Sequence, residues 1–516
     1  MKDMTEQLGN GKILPLIFKL TIPAVIAQLI TFLYNIVDRM FVAKIAGSGM
    51  DALAALGIVL PITLIIQAFA NLIGLGGSPR ASIKLGENNK EEADKIFNSS
   101  FVLLTIVGII ISIVTFFLSK QIVVLFGCPS TAVEFATSYL KIYSLGTVFV
   151  LLAQGLNPFI TAQGNSLIAM LSVLIGALAN IALDPLFIFV FDMGVKGASL
   201  ATIISQFISF VWIIAFFFSK KTLFRLRIKD MKLNKKRILS IVYLGFTPFI
   251  MTLTECAIQI VFNINLNVST GGNKDYTAAL TIMLSALQLI SLPLNGLGYG
   301  MQPFVSYNYG KGDAERLKKG IKYVTLIAFV FAVVIWSLSM AFPQVYAYIF
   351  SASAGVREIV KDYTAFFLMG SIMFFVQMTL QNINVALGQA KSALFLAVLR
   401  KVIILIPLCF ALTHYLGFKG VYLSEGIADF AAGIITSIVI FTTFPRVFKK
   451  REEEIKKYKN CKRKARYFNM LLSSFSEISR LNKKANLRIT PRFLIIWNKY
   501  PRPNCLSPPL PGNLLL

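Results

Sequence analysis

The sequence predicts an all-α membrane protein with twelve transmembrane helices, arranged as two six-helix, pseudo-symmetric lobes around a central cleft. Three observations predict this fold class. The 516-residue chain is 56% hydrophobic, with a mean hydropathy of +0.70. Only 15% of its residues are charged, well below the roughly 25% of a soluble domain. Apolar runs of about 20 residues, the length of a helix that crosses a bilayer, recur along most of the chain, and the first half of the chain is repeated in the second.

Twelve candidate spans follow from the apolar runs. They cover approximately residues 14–38, 52–75, 97–119, 137–160, 168–191, 197–218, 239–266, 277–299, 321–343, 363–387, 393–413 and 420–443. Basic residues gather in the connections after the second, sixth, eighth and tenth spans, as in Lys220–Arg237 after the sixth. Because Lys and Arg are retained on the cytoplasmic side, this pattern predicts a multi-pass protein of the cell inner or plasma membrane with both termini in the cytoplasm.

An internal repeat relates the two halves of the chain. Ala54–Lys95 aligns without a gap on Ala278–Lys319, at a constant shift of 224 positions, so that Pro79, for example, matches Pro303. Each repeat holds six spans, an even number. The two halves therefore share one orientation and are related by an axis along the membrane normal, which is a transporter architecture.

The chain divides into an N-lobe over residues 1–217, a basic cytoplasmic linker over 218–238, a C-lobe over 239–445 and a basic cytoplasmic tail over 446–516. About half of the net charge of +27 lies in the tail, with 18 Lys or Arg and 4 Asp or Glu from Thr443 onward. Basic segments beside membrane helices are expected to meet anionic lipid rather than nucleic acid. The tail lacks a spanning run and ends in a Pro-rich segment, so we expect it to be disordered.

The cysteine, histidine and glycine patterns exclude several classes of function. The five cysteines form no CxxC pair, and His414 is the only histidine, so neither a zinc site nor an HExxH motif is present. The sequence also lacks the GxxxxGK[ST] pattern of an ATP-hydrolysing P-loop. We therefore expect neither an enzyme nor a bound cofactor.

The fifth span carries polar residues in an apolar run, within Gly176–Phe189. Asn180 and Asp184 are four positions apart and so lie on one helix face, and Pro185 frees a backbone carbonyl one turn back. An ionised Asp at bilayer depth costs roughly 2.5–3.5 kcal/mol, and such residues normally mark ion or substrate paths. The alternative is a structural hydrogen bond between helices. Asp38, in the first span, is a second intramembrane acid.

Hard oxygen donors from three spans suggest a site for a small cation. Asp38, Asp184 and Thr202 come from the first, fifth and sixth spans, and carboxylate, amide and hydroxyl oxygens suit hard cations rather than transition metals. Two close carboxylates in a low dielectric cannot both stay ionised without a counterion, and Na⁺ or H⁺ can each supply one. A site that is alternately loaded and empty is the two-state element that ion coupling requires.

Six sequence segments carry a family resemblance. The first span holds LYNIVDRMFVAKIAG, and the fifth holds ANIALDPLFIF followed by GVKGASLATIISQ. The eighth span and its loop read PLNGLGYGMQPFVSYNYGKGD, and the last two spans begin with ALGQAKSALFLAVLRKVIILIP and GVYLSEGIAD. In their order and spacing these segments resemble the MATE (multidrug and toxic compound extrusion) family, over about residues 10–445.

The resemblance implies two six-helix lobes that alternate between outward and inward openings. It also implies export of organic, usually cationic, compounds against entry of Na⁺ or H⁺. We accordingly expect a protein that works as a monomer, with organic cations and membrane lipids as partners, and with the transported Na⁺ or H⁺ in place of a cofactor.

Site residues are carried over position by position. Asp38, Asn180, Asp184 and Thr202 match the N-lobe cation-site positions, which would hold Na⁺ if sodium is the coupling ion. Asn157, in LLAQGLNPF, matches a polar pocket position.

The C-lobe offers candidates for a further pocket or second cation site. Glu255 matches an acid that some members use, although it can instead pair with a basic group and hold helices together. The tenth span offers Gln381 but no aspartate, in contrast to those members. In the last span Glu425 and Asp429 are four positions apart, and we expect them to pair with Arg400 or the lysine after it in a structural or gating network.

A second function class stays open, namely a flippase for a lipid-linked or phosphorylated substrate. Its cleft should carry several Arg or Lys residues to hold phosphates, and the predicted spans hold few, mainly Lys141, Arg400 and Lys401. The cargo of a drug exporter would instead meet apolar side chains, for which Met251 and Phe375 are candidates.

Overall fold

The computed structural model describes residues 2–45, 49–350 and 352–484, and within these ranges the chain is helical and contains no β-strand. A short helix, α1 (Lys2–Asn10), precedes the bundle. The first lobe consists of α2 (Ile13–Ala43), α3 (Gly49–Gly86), α4 (Lys90–Leu125), α5 (Val133–Ala162), α6 (Ser166–Pro185, continued by a π-helical turn over Leu186–Val190) and α7 (Gly194–Phe218).

A connecting segment with a 3₁₀ turn at Ile228–Asp230 leads to the second lobe. This lobe begins with α8 (Lys235–Thr270), α9 (Lys274–Lys311), α10 (Ala314–Ala341) and the short α11 (Gln344–Ile349). Helix α12 (Ala354–Leu368) is followed by a 3₁₀ turn over Met369–Met373, a π-helical turn over Phe375–Leu380 and α13 (Gln381–Ala386). Helix α14 (Ala390–Val398) is followed by a π-helical turn over Leu399–Leu405, and the lobe ends with α15 (Ile406–Leu416) and α16 (Phe418–Lys484).

The described helices account for the predicted spans. Eleven of them are long and apolar enough to cross a membrane, and the number is twelve when Ala354–Met373 and Phe375–Ala386, which are bent by 41°, count as one broken span. The prediction of an all-α membrane protein with two six-helix lobes is confirmed.

The sequence repeat is also a repeat of helices. Helix α4 begins at Lys90 and its counterpart α10 at Ala314, while α6 begins at Ser166 and its counterpart α14 at Ala390. Both pairs are separated by 224 positions, the shift that relates the two halves of the sequence. The lobes are therefore built from equivalent helices in equivalent order.

The lobes meet along α2, α3, α8 and α9. Gly245 of α8 is packed so closely on α3 that a Cβ there would overlap the carbonyl oxygen of Leu72, and a Cβ at Gly296 of α9 would lie 2.6 Å from the Cα atom of Val25 in α2. Glycines at these positions let the helix backbones approach closely, which is how membrane helices gain packing energy.

The segment between the lobes is fixed to the start of α4. The side chain of Asn98 donates to the carbonyl oxygen of Arg225 at 2.8 Å and accepts from the backbone N–H of Arg227 at 2.9 Å, and Asp94 accepts from the backbone N–H of Arg225 at 3.2 Å. We call this end of the bundle, where α3 ends and α4 begins, the linker end.

The last helix continues beyond the twelfth predicted span. Helix α16 runs to Lys484, so the described part of the predicted 446–516 tail is helical rather than disordered. Glu452 precedes Lys456 by four positions, a spacing of acid and base that stabilises helices. Arg451 also pairs with Glu454 at 3.3 Å. Residues 485–516 lie outside the described residues, and the boundaries of the four predicted parts stay predictions.

Candidate functional site

Two intramembrane acids of the N-lobe meet in the structure. Asp38 lies on α2 and Asp184 on the last turn of α6, and their carboxyl groups lie close enough to interact directly. Both residues are buried, with 9% and 0% of their surface exposed. A hydrogen bond between two carboxyl groups needs a proton, and two bare carboxylates would repel each other. The pair can therefore hold one proton or one small cation.

Asn180 completes the cluster from one turn before Asp184. Its side-chain nitrogen donates to Asp184 Oδ1 at 3.3 Å. Three buried oxygens of the cluster, Asp38 Oδ1, Asn180 Oδ1 and Asp184 Oδ2, have no hydrogen-bond partner among the described residues. Buried acceptors without partners cost free energy, and all three are hard donors of the kind that Na⁺ prefers.

The backbone around Asp184 departs from a regular α-helix. Helix α6 ends at Pro185, which has no N–H to donate, and the chain continues as the π-helical turn Leu186–Val190. Gly197 of α7 packs against this turn, and a Cβ there would lie 2.7 Å from the carbonyl group of Phe187. The irregular turn, a common feature of functional sites, is thus held in place by the neighbouring helix.

Two tyrosines lie near the acid pair. Tyr34, one turn before Asp38 on α2, is close enough to interact electrostatically with both carboxyl groups. Tyr139 of α5 lies near Asp38 and near the hydroxyl group of Thr202. Thr202, a predicted cation-site residue, is therefore separated from the acids by Tyr139, and its own hydroxyl group donates to the carbonyl oxygen of Ala198 at 3.0 Å.

A cavity of about 350 Å³ lies directly beside the acid cluster. Tyr34, Asn180 and Thr202 belong to its wall, so the cluster and the cavity share side chains. Amide side chains dominate the polar part of the wall, namely Gln28, Gln67, Asn71, Gln154, Asn157, Gln206 and, from the second lobe, Gln302.

Asn157, for which a pocket role is predicted, lies in this wall. It donates to the carbonyl oxygen of Ala169 at 2.9 Å and to Ser172 Oγ at 2.5 Å, which fixes its orientation. Met251 and Phe375, the apolar candidates, are absent from the wall that the described residues form. The cavity is therefore lined by amides and tyrosines more than by methionine.

The C-lobe acids have partners of their own. Arg400 pairs with Asp429 at 2.5 Å and with Glu425 at 3.2 Å, and its guanidinium group stacks 4.9 Å from the ring of Phe374. Gln377 donates to the backbone carbonyl of Asp429 at 2.5 Å. The pairing expected for the two acids of the last span is present, and it places Asp429 in an ion cluster rather than beside the cavity.

The other C-lobe candidates are also engaged. Lys401 forms an ion pair with Glu255, whose side chain is 56% exposed whereas that of Lys401 is 7% exposed. In the amide orientation that satisfies both of its polar atoms, Gln381 donates to the carbonyl oxygen of Gln377 at 3.0 Å and accepts from the backbone N–H of Ala397 at 3.3 Å. The structure thus brings Asp38, Asn180 and Asp184 together and leaves Glu255, Gln381 and Asp429 apart from them.

Sequence reasoning missed the tyrosines of the N-lobe site. Tyr34 precedes Asp38 by four positions, a spacing that places both on one helix face, so its proximity to the acids was readable from the first span. Tyr139 carries no comparable signal, because it reaches the site from α5 only through the packing of the lobe. The roles of all these residues stay predictions.

Two repeated six-helix lobes, with a polar cavity and a buried acid pair beside it, define a membrane transporter of the two-lobe class. The family model MatE matches the chain twice, over residues 23–186 and 248–411, once in each lobe. The chain therefore belongs to the MATE family of multidrug efflux transporters, and the resemblance predicted from its motifs is confirmed.

Similar proteins and structures agree with this assignment. The multidrug export protein MepA of Staphylococcus saprophyticus is 29% identical over 428 residues, which cover 82% of this chain and 92% of that protein. MepA of Staphylococcus aureus is 29% identical over 450 residues, covering 86% and 96%.

Solved structures share the fold. An outward-facing multidrug resistance MATE family transporter of the MOP superfamily matches with a TM-score of 0.80 at 24% identity, over 86% of this chain and 98% of that one. A MOP superfamily transporter from Pyrococcus furiosus, described as having a binding pocket of reverse polarity, matches with a TM-score of 0.79 at 23% identity, over the same shares.

Proposed function

We propose that this protein is a cation-coupled antiporter that exports organic, mostly cationic, compounds by alternating access. Na⁺ or H⁺ binds between Asp38 and Asp184 and is exchanged for the cargo. The observation that carries the proposal is the proximity of these two buried carboxyl groups, each of which has one oxygen without a hydrogen-bond partner, as does the nearby side chain of Asn180.

The acid cluster works as a two-state element. When a proton or Na⁺ is bound, the two carboxyl groups hold α2 and α6 together through it. When the ion leaves, the carboxylates repel each other in a medium of low dielectric, and α2 and α6 must separate or repack. The side chain of Asn180 keeps its bond to Asp184 in either state and orients that carboxylate.

Coupling to the cargo follows from the shared wall. Because Tyr34, Asn180 and Thr202 line the cavity next to the acids, a shift of α2 or α6 changes the shape of the cargo site. An organic cation in the cavity would meet amide oxygens and tyrosine rings, which favour a positively charged, partly aromatic molecule. It would also gain from the vacated carboxylates, so the cargo binds more strongly when the ion is absent.

The ion gradient supplies the energy for this exchange. One Na⁺ or H⁺ exchanged for one monovalent cationic cargo moves no net charge, so a tenfold concentration gradient of the ion, about 1.4 kcal/mol, balances a tenfold gradient of the cargo. For a neutral cargo the inward charge adds about 2.3 kcal/mol per 100 mV of membrane potential. The proposed orientation places the linker end in the cytoplasm, in agreement with the basic residues there. We further propose that the protein works as a monomer, since Asp38, Asn180 and Asp184 all lie within one lobe, and that the only ion required is the transported one.

The proposal is tested in a bacterial host that lacks its main efflux pumps. Expression of the chain should raise resistance to ethidium and lower its accumulation, and Asp184→Asn should remove both effects at equal protein level. Asp192→Asn is the matched control. Asp192 lies eight positions after Asp184 and is exposed, so this substitution should leave resistance unchanged.

The alternative is a flippase. It would be favoured if ethidium resistance stayed unaltered while expression restored export of a lipid-linked glycan in a flippase-deficient host. Arg400 and Lys401, the basic residues of that alternative, are already paired with acids.

A further inference from the structure

Arg451 is buried far beyond the last predicted span. It lies on α16, six positions after Pro445, and its side chain is only 2% exposed. The basic residues next to it, Lys449 and Lys450, are exposed to solvent. A guanidinium group is strongly hydrated in water, so its burial must be offset by specific contacts.

Those contacts reach both lobes. Arg451 pairs with Glu87, in the turn after α3, at 2.5 Å. It donates to the carbonyl oxygens of Tyr309 at 3.1 Å and Gly310 at 3.3 Å, near the end of α9, and its guanidinium group lies 5.2 Å from the ring centre of Tyr309. Helices α3 and α9 are equivalent helices of the two repeats, so one side chain ties the N-lobe to the C-lobe.

The helix ends that Arg451 joins are in direct backbone contact. A Cβ at Gly86 would overlap the carbonyl oxygen of Tyr307, and a Cβ at Gly310 would overlap that of Ile83. With the two backbones this close, cargo has no passage between α3 and α9 at the linker end. Opening this end requires the contact of Arg451 with Glu87 to break.

Both partners keep a counterion when they separate. Glu87 also pairs with Lys84 of its own lobe at 2.7 Å, and Arg451 also pairs with Glu454 of its own helix at 3.3 Å. A buried charge that loses its partner is costly. Here neither charge is left unpaired when the contact between Arg451 and Glu87 breaks. The arrangement is therefore suited to repeated opening and closing.

We propose that Arg451 and Glu87 form the latch that holds the linker end of the transporter closed, so that the basic extension of α16 is a working part of the gate. This inference rests on the proposed alternating access, and it assigns a function to a segment that the twelve-helix plan does not require. Loss of the latch shifts the population towards the state that is open at the linker end.

The test measures how accessible the cavity is from the linker end. In a variant with its five cysteines replaced by serine, Ala27, which lines the cavity, is changed to cysteine and reacted with a membrane-impermeant maleimide in inside-out vesicles. Arg451→Gln should raise the labelling rate about tenfold, the size of a typical conformational coupling. Glu87→Gln should do the same, and the double variant should label no faster than either single one.

Lys450→Gln is the matched control, since it removes the same charge from an exposed neighbour and should leave the rate unchanged. If Arg451→Gln does not reach the membrane, Glu87→Gln alone carries the test. Unchanged labelling in the latch variants, an equal rise in Lys450→Gln, or additive rises in the double variant would overturn the latch.

The labelling assay uses neither drug nor ion gradient, so its failure is distinguishable from failure of the transport proposal. If labelling rises in the latch variants but the protein exports no ethidium, the latch is supported and the antiporter proposal is contradicted. Ethidium export at the normal rate, together with unchanged labelling in those variants, would remove the latch only.

Discussion

Asp38 and Asp184 are 146 positions apart in the chain, yet their carboxyl groups lie side by side inside the N-lobe. Each acid is on a different helix, and each is buried. Such a contact is stable only with a positive charge between the two groups. In a membrane transporter, a buried binding site for one exchangeable cation is the simplest way to link an ion gradient to a conformational change.

The amide of Asn180 should be needed for ion binding but not for folding. Asn180→Leu keeps the size of the side chain and removes the donor to Asp184 Oδ1, a hydrogen bond to a charged group that contributes about 1.5–3 kcal/mol. We expect the concentration of coupling ion needed for half-maximal ethidium efflux to rise about tenfold or more. Asn263→Leu, at an exposed position of α8, is the control. An unchanged ion requirement in Asn180→Leu would show that Asn180 is structural.

The C-lobe acid Glu255 should be dispensable for coupling, because Lys401 already balances its charge. We expect Glu255→Gln to export ethidium with the same dependence on Na⁺ or pH as the unmodified protein. Efflux from vesicles with each gradient imposed separately measures this. If the ion dependence is lost, as expected for Asp184→Asn, then Glu255 is a coupling residue after all.

The Arg400 cluster should contribute mainly to stability. Arg400→Met leaves Glu425 and Asp429 buried without their counterion, and removing one partner of a buried ion cluster costs about 3–5 kcal/mol. Thermal unfolding in detergent should show a large loss of stability. Much of it should return when Glu425→Gln and Asp429→Asn are added, since no unpaired charge then remains. A triple variant as unstable as Arg400→Met would contradict this explanation.

Substitution of two glycines by alanine should change the stability of the protein in opposite directions. A Cβ at Gly245 overlaps the Leu72 carbonyl group between the lobes, whereas a Cβ at Gly57 on α3 meets no atom within 4 Å. Gly245→Ala should lose about 1–3 kcal/mol of stability through overpacking. Gly57→Ala should gain about 0.5–1 kcal/mol, the difference between the two residues in a helix. Equal effects in thermal unfolding would mean that the lobe contact is not tight.

Much of the fold was predictable because it depends on the composition of the chain and on the spacing of its apolar runs and of its internal repeat. Apolar runs fix the number of spans, and the shift from Ala54 to Ala278 identifies the two lobes. The buried acids were also predictable, since a carboxylate within an apolar run is conspicuous. Which acids meet was not, because Asp38 and Glu255 look alike in sequence and differ only in the neighbours that packing provides.

The missed features depend on long-range packing. Tyr139 approaches the acids from α5, and Lys401 reaches Glu255 from the π-helical turn that follows α14; no local pattern encodes either contact. Arg451 lies in a run of basic residues that resembles a solvated tail, and it differs from Lys450 only in its long-range partners, Glu87 of the other lobe and the carbonyl groups at the end of α9. The amide-rich cavity wall is assembled from several helices in the same way.

Ion-driven efflux from reconstituted vesicles tests the central claim most directly. Vesicles containing the purified chain are loaded with ethidium on the side that corresponds to the cytoplasm, and a Na⁺ gradient or a pH gradient is imposed from the opposite side. We predict that at least one of the two gradients drives ethidium transport, that Asp38→Asn and Asp184→Asn each abolish this dependence, and that Asp192→Asn preserves it. Gradient-driven transport of normal rate in both Asp38→Asn and Asp184→Asn would contradict the account.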